Sequence, residues 1–384
     1  MHNGRFSFDF SELRANGITR VGEFNPYVTL ACDLRCSYCY MFDFLTKAND
    51  VVHVMPTGWF VSLMDHICEE GGGLDRMTFL GGEPTLHPDI TTMMNEAAQR
   101  PIKERRMTTN GMGLHHLNLD KVSPEALDHV SVSIDGTTAE ANDVTRAKNS
   151  FKRIVETIGL YRQAGFKISV NYTVTNRNIA NLNETVPYFH AMGVSIINLH
   201  RASLDGNAYR NPDIIIDAMA WISARAKLVE FLKKDGGLYP GLTVRIPYIF
   251  MTDSEVLETK YAPIQERNYH SPDGGHRLIV FPATSIGRGL CYMSSDVIGH
   301  PNAELGRIDD QGRFLWNWHD NNELIAFSRH KLANVSSLIK NQTQEVNPGD
   351  GLVRVSHSFK LIMRTVPAMP GNPIREADMP SVSA

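Results

Sequence analysis

No stretch of this sequence is long and apolar enough to span a bilayer; IPYIFMTD, the strongest candidate, is far too short. The opening residues, MHNGRFSFDFSELRANG, lack the apolar run that a secretory signal needs. Neither charge sign is in large excess. Lys and Arg number 38 against 42 Asp and Glu, a net charge of -4, so there is no broad basic field to attract nucleic acid. These absences lead us to expect a soluble, cytoplasmic protein with neither a nucleic-acid nor a membrane partner. Cysteine is sparse too: 5 in 384 residues are too few for a disulfide scaffold. Internal repeats and low-complexity runs are missing.

What is present is ordinary globular material, 42% hydrophobic and 21% charged, enough for a substantial core. From Pro26 to about Arg201 short β-rich runs alternate with longer amphipathic ones. YVTLA, RMTFLGG, RRMTTNG, HVSVSIDG, KISVNYTVT and SIINLHRA read as strands. TGWFVSLMDHICEEG, DITTMMNEAAQ, SFKRIVETIGLYRQAG and LNETVPYFHAMG read as helices. Strand then helix, repeated, predicts an α/β fold with a parallel sheet, either a barrel or an open doubly wound sheet. Past residue 201 the alternation weakens. IDAMAWISARAKLVEFLKKDGG reads as one long helix, followed by β-like LTVRIPY and HRLIVFPA. The expected division is an N-terminal segment 1–22, a core 23–205, a smaller α/β extension 206–364 and a proline-rich tail 365–384.

Cysteine placement says more than cysteine number. Cys32, Cys36 and Cys39 lie at CxxxCxxC spacing directly after the first predicted strand. In a reducing compartment such a cluster points to metal, with chance clustering of buried thiols as the plainer alternative. Three thiolates can hold three corners of an iron–sulfur cube and leave one iron open. Zinc is the rival and would need a fourth protein ligand, for which His53 and His66 are candidates. A position at the C-terminal end of a βα strand favours catalysis, because ligands gather at that face.

With Tyr38 before the third cysteine, this motif resembles that of the radical S-adenosylmethionine (radical SAM) enzymes. The resemblance covers roughly residues 25–201 and implies a partial parallel (βα)6 barrel. It further implies one [4Fe–4S] cluster on Cys32, Cys36 and Cys39, with S-adenosyl-L-methionine on the open iron. One electron from a reductant such as flavodoxin or ferredoxin then cleaves the sulfonium, and a 5′-deoxyadenosyl radical abstracts a substrate hydrogen. LGGEPTLHP supplies Gly81, Gly82, Glu83 and Pro84, similar to the motif for the methionine amino group. In physical terms, two glycines let backbone approach a ligand and a carboxylate pairs with an ammonium. TTNG supplies Asn110, and VSIDG supplies Ser133 and Asp135. The family likeness makes Arg146 of NDVTR the grip on the cofactor carboxylate and Val174 an adenine-side contact. Taken singly, GGEP, Asn110-Gly111 and Asp135-Gly136 are also ordinary turn signals.

The segment from His276 to Phe314 is loosely similar to the SPASM or twitch extensions, which carry auxiliary clusters on further cysteines. Beyond Cys68, however, the sequence has only Cys291, so a degenerate extension without a cysteine-ligated auxiliary cluster is expected. Cys291 has two readings, a packed inert thiol and a catalytic hydrogen donor that quenches a substrate radical. Cys68 falls on a helix core face. His200 and Arg201 end the sixth strand, facing the expected cavity. Arg245, Tyr248, His276 and Arg277 are candidates to meet a polar substrate, with surface pairing as the commoner explanation. Trp316 and Trp318 alternate on an apparent strand, and packing explains at least one of them.

The expectation for function is a radical enzyme acting on a C–H bond of a small molecule of secondary metabolism or cofactor assembly. A peptide-modifying maturase and a non-catalytic iron–sulfur protein are the alternatives. Without an auxiliary electron acceptor, redox-neutral outcomes rank ahead of net oxidation.

Overall fold

The structure, a computed structural model, describes residues 20–46, 53–69, 73–247, 250–252, 276–282, 289–292, 298, 304–308, 314–316 and 352–354. Tyr248 and Trp318 lie outside them, as does the proline-rich tail. Among the described residues no helix is long and apolar enough to cross a membrane.

The parallel strands follow chain order: β1 (Val21–Pro26), β2 (Leu74–Phe79), β3 (Ile102–Thr109), β4 (His129–Ser133), β5 (Ile168–Val174), β6 (Ile196–Arg201) and β7 (Thr243–Arg245). Parallel neighbours need long crossovers. Most here are helical: α1 (Thr57–Glu69), α2 (Ile90–Ala98), α3 (Ala139–Asp143) with α4 (Ser150–Gln163), α5 (Leu182–Ala191) and α6 (Ala218–Asp235). The β3–β4 crossover is the exception, with two short 3-10 turns at Leu119–Lys121 and Pro124–Ala126.

The later strands join the same sheet. β8 (Phe250–Thr252) pairs separately with β13 (Leu352–Arg354), but β9 (His276–Val280) lies parallel to β1. β10 (Cys291–Tyr292), β11 (Glu304–Ile308) and β12 (Phe314–Trp316) continue beyond it antiparallel. The full order is β12-β11-β10-β9-β1-β2-β3-β4-β5-β6-β7. Among the described residues its two edge strands do not pair with each other, so the sheet stays open as a partial barrel.

Side chains alternate between the two faces of each strand. One face is apolar: Phe24, Met77, Phe79, Met107, Val130, Val132, Val170, Tyr172, Val174 and Leu199 are all buried in one core. The helices lie on it. Phe60 of α1 packs 5.4 Å from Phe79, and Phe189 of α5 packs 6.3 Å from Tyr172, edge to face. Burying each such ring contributes about 1.5–3 kcal/mol. Helix ends follow local chemistry, as where the Asp217 carboxylate accepts from Ala220 N at 2.8 Å to cap α6.

The first strand is displaced from its expected position. YVTLA was expected to be the strand, yet β1 is Val21–Pro26. Tyr27 forms an isolated bridge to Leu80 while its N–H donates to Val280 O at 2.9 Å, and Thr29 turns to bridge Val54 in antiparallel fashion. Leu30 N donates to His53 O at 3.0 Å and Met55 N to Val28 O at 2.7 Å. A neighbouring loop therefore captures the backbone groups of this segment, and the chain leaves the sheet toward the cysteines.

Candidate functional site: the cysteine loop at the strand ends

The Cys32–Cys39 loop follows that departure at the C-terminal end of the parallel strands. It is tethered from several directions. Cys39 N donates to Cys36 O at 3.2 Å, closing a tight turn, and Ser37 N donates to Thr145 O at 2.9 Å. Asn207 holds both ends of the turn, its side chain donating to Cys36 O at 2.9 Å and its N–H to Cys39 O at 3.0 Å. Asn211 Nδ2 reaches Ser37 O at 3.3 Å. Gly206 allows this approach: its φ is +52°, and a Cβ there would stand 2.4 Å from Cys39 O. Sequence reading missed Gly206, Asn207 and Asn211. The only local signal was a Gly-Asn pair after the last expected strand.

The three thiols are partly buried. Burial pushes those of Cys32 and Cys39 up to about 12 and raises that of Cys36, which the Arg146 guanidinium partly offsets. They are neutral thiols by themselves, so ligation must displace their protons. Among the described residues, no three His, Cys, Asp or Glu side chains converge as a single-ion site. A lone tetrahedral zinc needs such convergence, whereas an iron–sulfur cube meets its thiolates at separate corners. His53 contributes its backbone carbonyl to Leu30 N, and His66 lies within α1.

The GGEP segment packs onto the loop. Gly82 N donates to Thr29 O at 2.8 Å and Glu83 N to Ala31 O at 2.7 Å. A Cβ on Gly81 would lie 2.5 Å from Thr29 O, and one on Gly82 2.3 Å from Ala31 O. The glycines thus serve the approach of two chain segments. Glu83 is also turned inward. It is fully buried, and its carboxylate accepts from Thr85 N at 3.1 Å, Thr85 Oγ1 at 2.7 Å, Thr109 Oγ1 at 2.8 Å and Asn110 N at 2.6 Å. Those donors tie the end of β2 to the end of β3; the expected pairing with an ammonium gives way to a framework role. Pro84 opens the short helix that Glu83 caps. Asn110 is likewise engaged, donating to Asp33 Oδ1 at 2.6 Å and lying 3.8 Å from Cys32 Sγ.

On the other side of the loop, Tyr38, Asp135 and Arg146 form one network. The Tyr38 hydroxyl donates to Asp135, and Arg146 donates to that hydroxyl at 2.8 Å. Arg146 stands 3.6 Å from the Asp135 carboxylate, which also accepts from Thr173 N at 2.9 Å. Burial pushes the Tyr38 hydroxyl well up, keeping it protonated and able to donate. Arg146 is itself buried, yet its Nε has no partner. A buried guanidinium N–H left unmatched beside the cysteine loop fits an incoming carboxylate.

Three other expectations are refined. The Val174 side chain is fully buried on the helix-facing side, which leaves its backbone for the expected adenine contact; Thr173, the residue before it, shares the opposite face with Ser133. Strand alternation also separates His200 from Arg201. Arg201 is buried and donates from Nε to Ile216 O at 3.0 Å. Cys291 sits fully buried in β10, its thiol donating to Gly289 O at 3.5 Å, and burial holds its pKa well up. Among the described residues this burial favours the packed-thiol reading over the hydrogen-donor one. Ser133 ends β4 half-buried, opposite Asn171.

Comparison with known proteins agrees with this geometry. The Radical SAM superfamily model matches residues 27–186. A GTP 3′,8-cyclase of Chlorobaculum tepidum is 30% identical over 42% of this chain and 47% of its own length. A PqqA peptide cyclase of Gluconobacter oxydans is 24% identical over 55% of this chain and 58% of its own. The chain thus spans about half the length of the curated relatives it matches. The crystal structure of Streptococcus suis SuiB bound to S-adenosylmethionine covers 77% of this chain and 65% of that one, with a TM-score of 0.59 at 15% identity, a likeness of fold. Over residues 27–186, less than half of its length, the chain is thus similar to the Radical SAM superfamily.

Proposed function

We propose that this chain is a radical SAM enzyme, with one [4Fe–4S] cluster held by Cys32, Cys36 and Cys39 and S-adenosylmethionine bound beside it. The observation that carries this reading is the tethered loop of three thiols at the strand ends, with Arg146, its Nε unmatched, bound to Tyr38 of that loop. When bound, the two groups supply one-electron cleavage of the sulfonium and a 5′-deoxyadenosyl radical for hydrogen abstraction from a substrate carbon. The chain's own residues do the rest. Asn207, Asn211 and Thr145 hold the loop backbone, and Gly81 and Gly82 let the end of β2 close over it. Glu83 fixes the end of β3 against that of β2. Tyr38 and Asp135 orient Arg146, whose spare N–H binds the cofactor carboxylate.

The substrate in this reading is a small molecule of secondary metabolism or cofactor assembly, with flavodoxin or ferredoxin as reductant. A peptide substrate is the second reading, favoured by the likeness to a PqqA peptide cyclase. The test is product analysis under a strong reductant. The reconstituted chain should convert S-adenosylmethionine to 5′-deoxyadenosine and methionine, and Arg146→Gln should raise the S-adenosylmethionine KM about tenfold or more. Loaded protein that forms no 5′-deoxyadenosine would leave only a non-catalytic iron–sulfur protein.

A further inference from the structure

The face of the sheet opposite the helices is largely polar in its parallel part, with Ile196 and Ile279 as apolar exceptions. Register places Glu23, Arg76, Glu104, Arg106, His129, Ser131, Ser133, Asn171 and Asn198 on it, with Arg277 at one side and Arg245 at the other. Its neutral groups bond across strands: Ser131 to Ser169 at 2.7 Å and Asn198 to Asn171 at 3.1 Å. Its charges do not balance.

Among the described residues of β1 to β7 and β9, this face carries four guanidiniums and two carboxylates. Glu23 serves Arg277 at 3.2 Å and Arg76 at 3.8 Å. Glu104 serves Arg76 at 2.8 Å and also Arg106. Both carboxylates are therefore shared among three arginines. Among the described residues, Arg245, on β7, has only the Asn198 side-chain oxygen at 3.5 Å, and it is exposed. Burial of its inner part, with Arg106 and Arg76 nearby, holds its pKa below the ordinary arginine value, as expected where like charges are not offset.

We propose that this polar face selects a substrate bearing an anionic group, a carboxylate or a phosphate, with Arg245 as its principal contact, the Asn198 amide beside it and Arg106 behind. A planar guanidinium suits either anion as a two-pronged donor. An anion there completes the charge pairing that Glu23 and Glu104 leave unfinished. The rest of the substrate then lies along the hydroxyls and amides of β4 to β6, toward the cysteine loop at the strand ends. This assignment rests on the radical-enzyme reading for what happens to the bound molecule, while the binding itself can be measured separately.

The test is a ligand-detected NMR titration of the reconstituted full chain with glycerol 3-phosphate, succinate and, as neutral control, glycerol. At least one anion should bind where glycerol does not, and whichever binds more tightly identifies the phosphate or carboxylate class. Arg245→Gln should weaken that binding about tenfold or more, and Arg245→Lys should restore part of it. Lys152→Gln makes the same charge change on the exposed face of α4 and should bind as the parent does. Anion binding no stronger than glycerol, or Arg245→Gln binding like the parent, overturns the proposal. Assaying 5′-deoxyadenosine in the same parent sample keeps the two readings apart: its absence alongside intact, Arg245-dependent anion binding counts against the radical reading, and the anion site stands.

Discussion

Gly82 shows how little tolerance the site has at the level of single atoms. A methyl group there would meet Ala31 O at 2.3 Å, Ala31 C at 2.7 Å and the Cys32 Cβ at 3.0 Å, and two of these are backbone atoms that cannot swing aside. Gly82→Ala should therefore displace the Cys32 end of the loop and lower iron loading, measured as iron per chain after reconstitution. His87, five residues on, allows a pH prediction. Its Nδ1 accepts from Asp89 N at 3.0 Å, so Nε2 carries the hydrogen and donates to Met55 O at 2.9 Å. Burial holds its pKa below 6.5, so the unfolded chain takes up a proton first as pH falls. Stability from the neutral ring is present above pH 6.5 and is lost on acidification through the interval below it. Between about pH 7.5 and about pH 5.5 the parent's denaturation midpoint should fall more than that of His87→Gln. The cysteine motif was readable from residue type and spacing, whereas Arg146 came only from the likeness of NDVTR to the family's pattern. The inward hydrogen bonds of Glu83 were not legible, because sequence shows a carboxylate and hides its donors; Thr109 and Asn110 come from the end of β3, far along the chain.

Among the elements, alternation on the central strands was the clearest signal in the sequence. Ser131, Ser133, Ser169 and Asn171 fall on one face, with Val130, Val132, Val170 and Tyr172 on the other. Applied strictly, the same alternation would have placed the Val174 side chain on the helix-facing side and split His200 from Arg201. The strand at YVTLA failed for another reason: its β-favouring residues are real, but the pairing partner is a loop that local pattern cannot reveal. Helix α4 supplies an independent check on element energetics. Gly159 lies in its interior with nothing within 4 Å of an added Cβ. Gly159→Ala should stabilise the protein by about 0.5–1 kcal/mol in chemical denaturation, leaving iron loading unchanged. Destabilisation would mean that the helix is packed differently there.

At the scale of the whole molecule, the strands after residue 205 extend the sheet on both sides of the parallel core, with β7 beside β6 and β9 beside β1. Sequence pattern located β7 and β9 but could not assign them to opposite edges, because pairing across more than two hundred residues leaves no local trace. The result places Arg277 and Arg245 on the same polar face, far apart in order yet joined by one sheet. The central claim is that this scaffold holds a single four-iron cluster at its strand ends. Anaerobic reconstitution with iron and sulfide counting tests it most directly. The account predicts about four irons per chain, lost when Cys32, Cys36 and Cys39 are all changed to alanine and retained when Cys291 is. About eight irons, or four that survive the triple substitution, would contradict it.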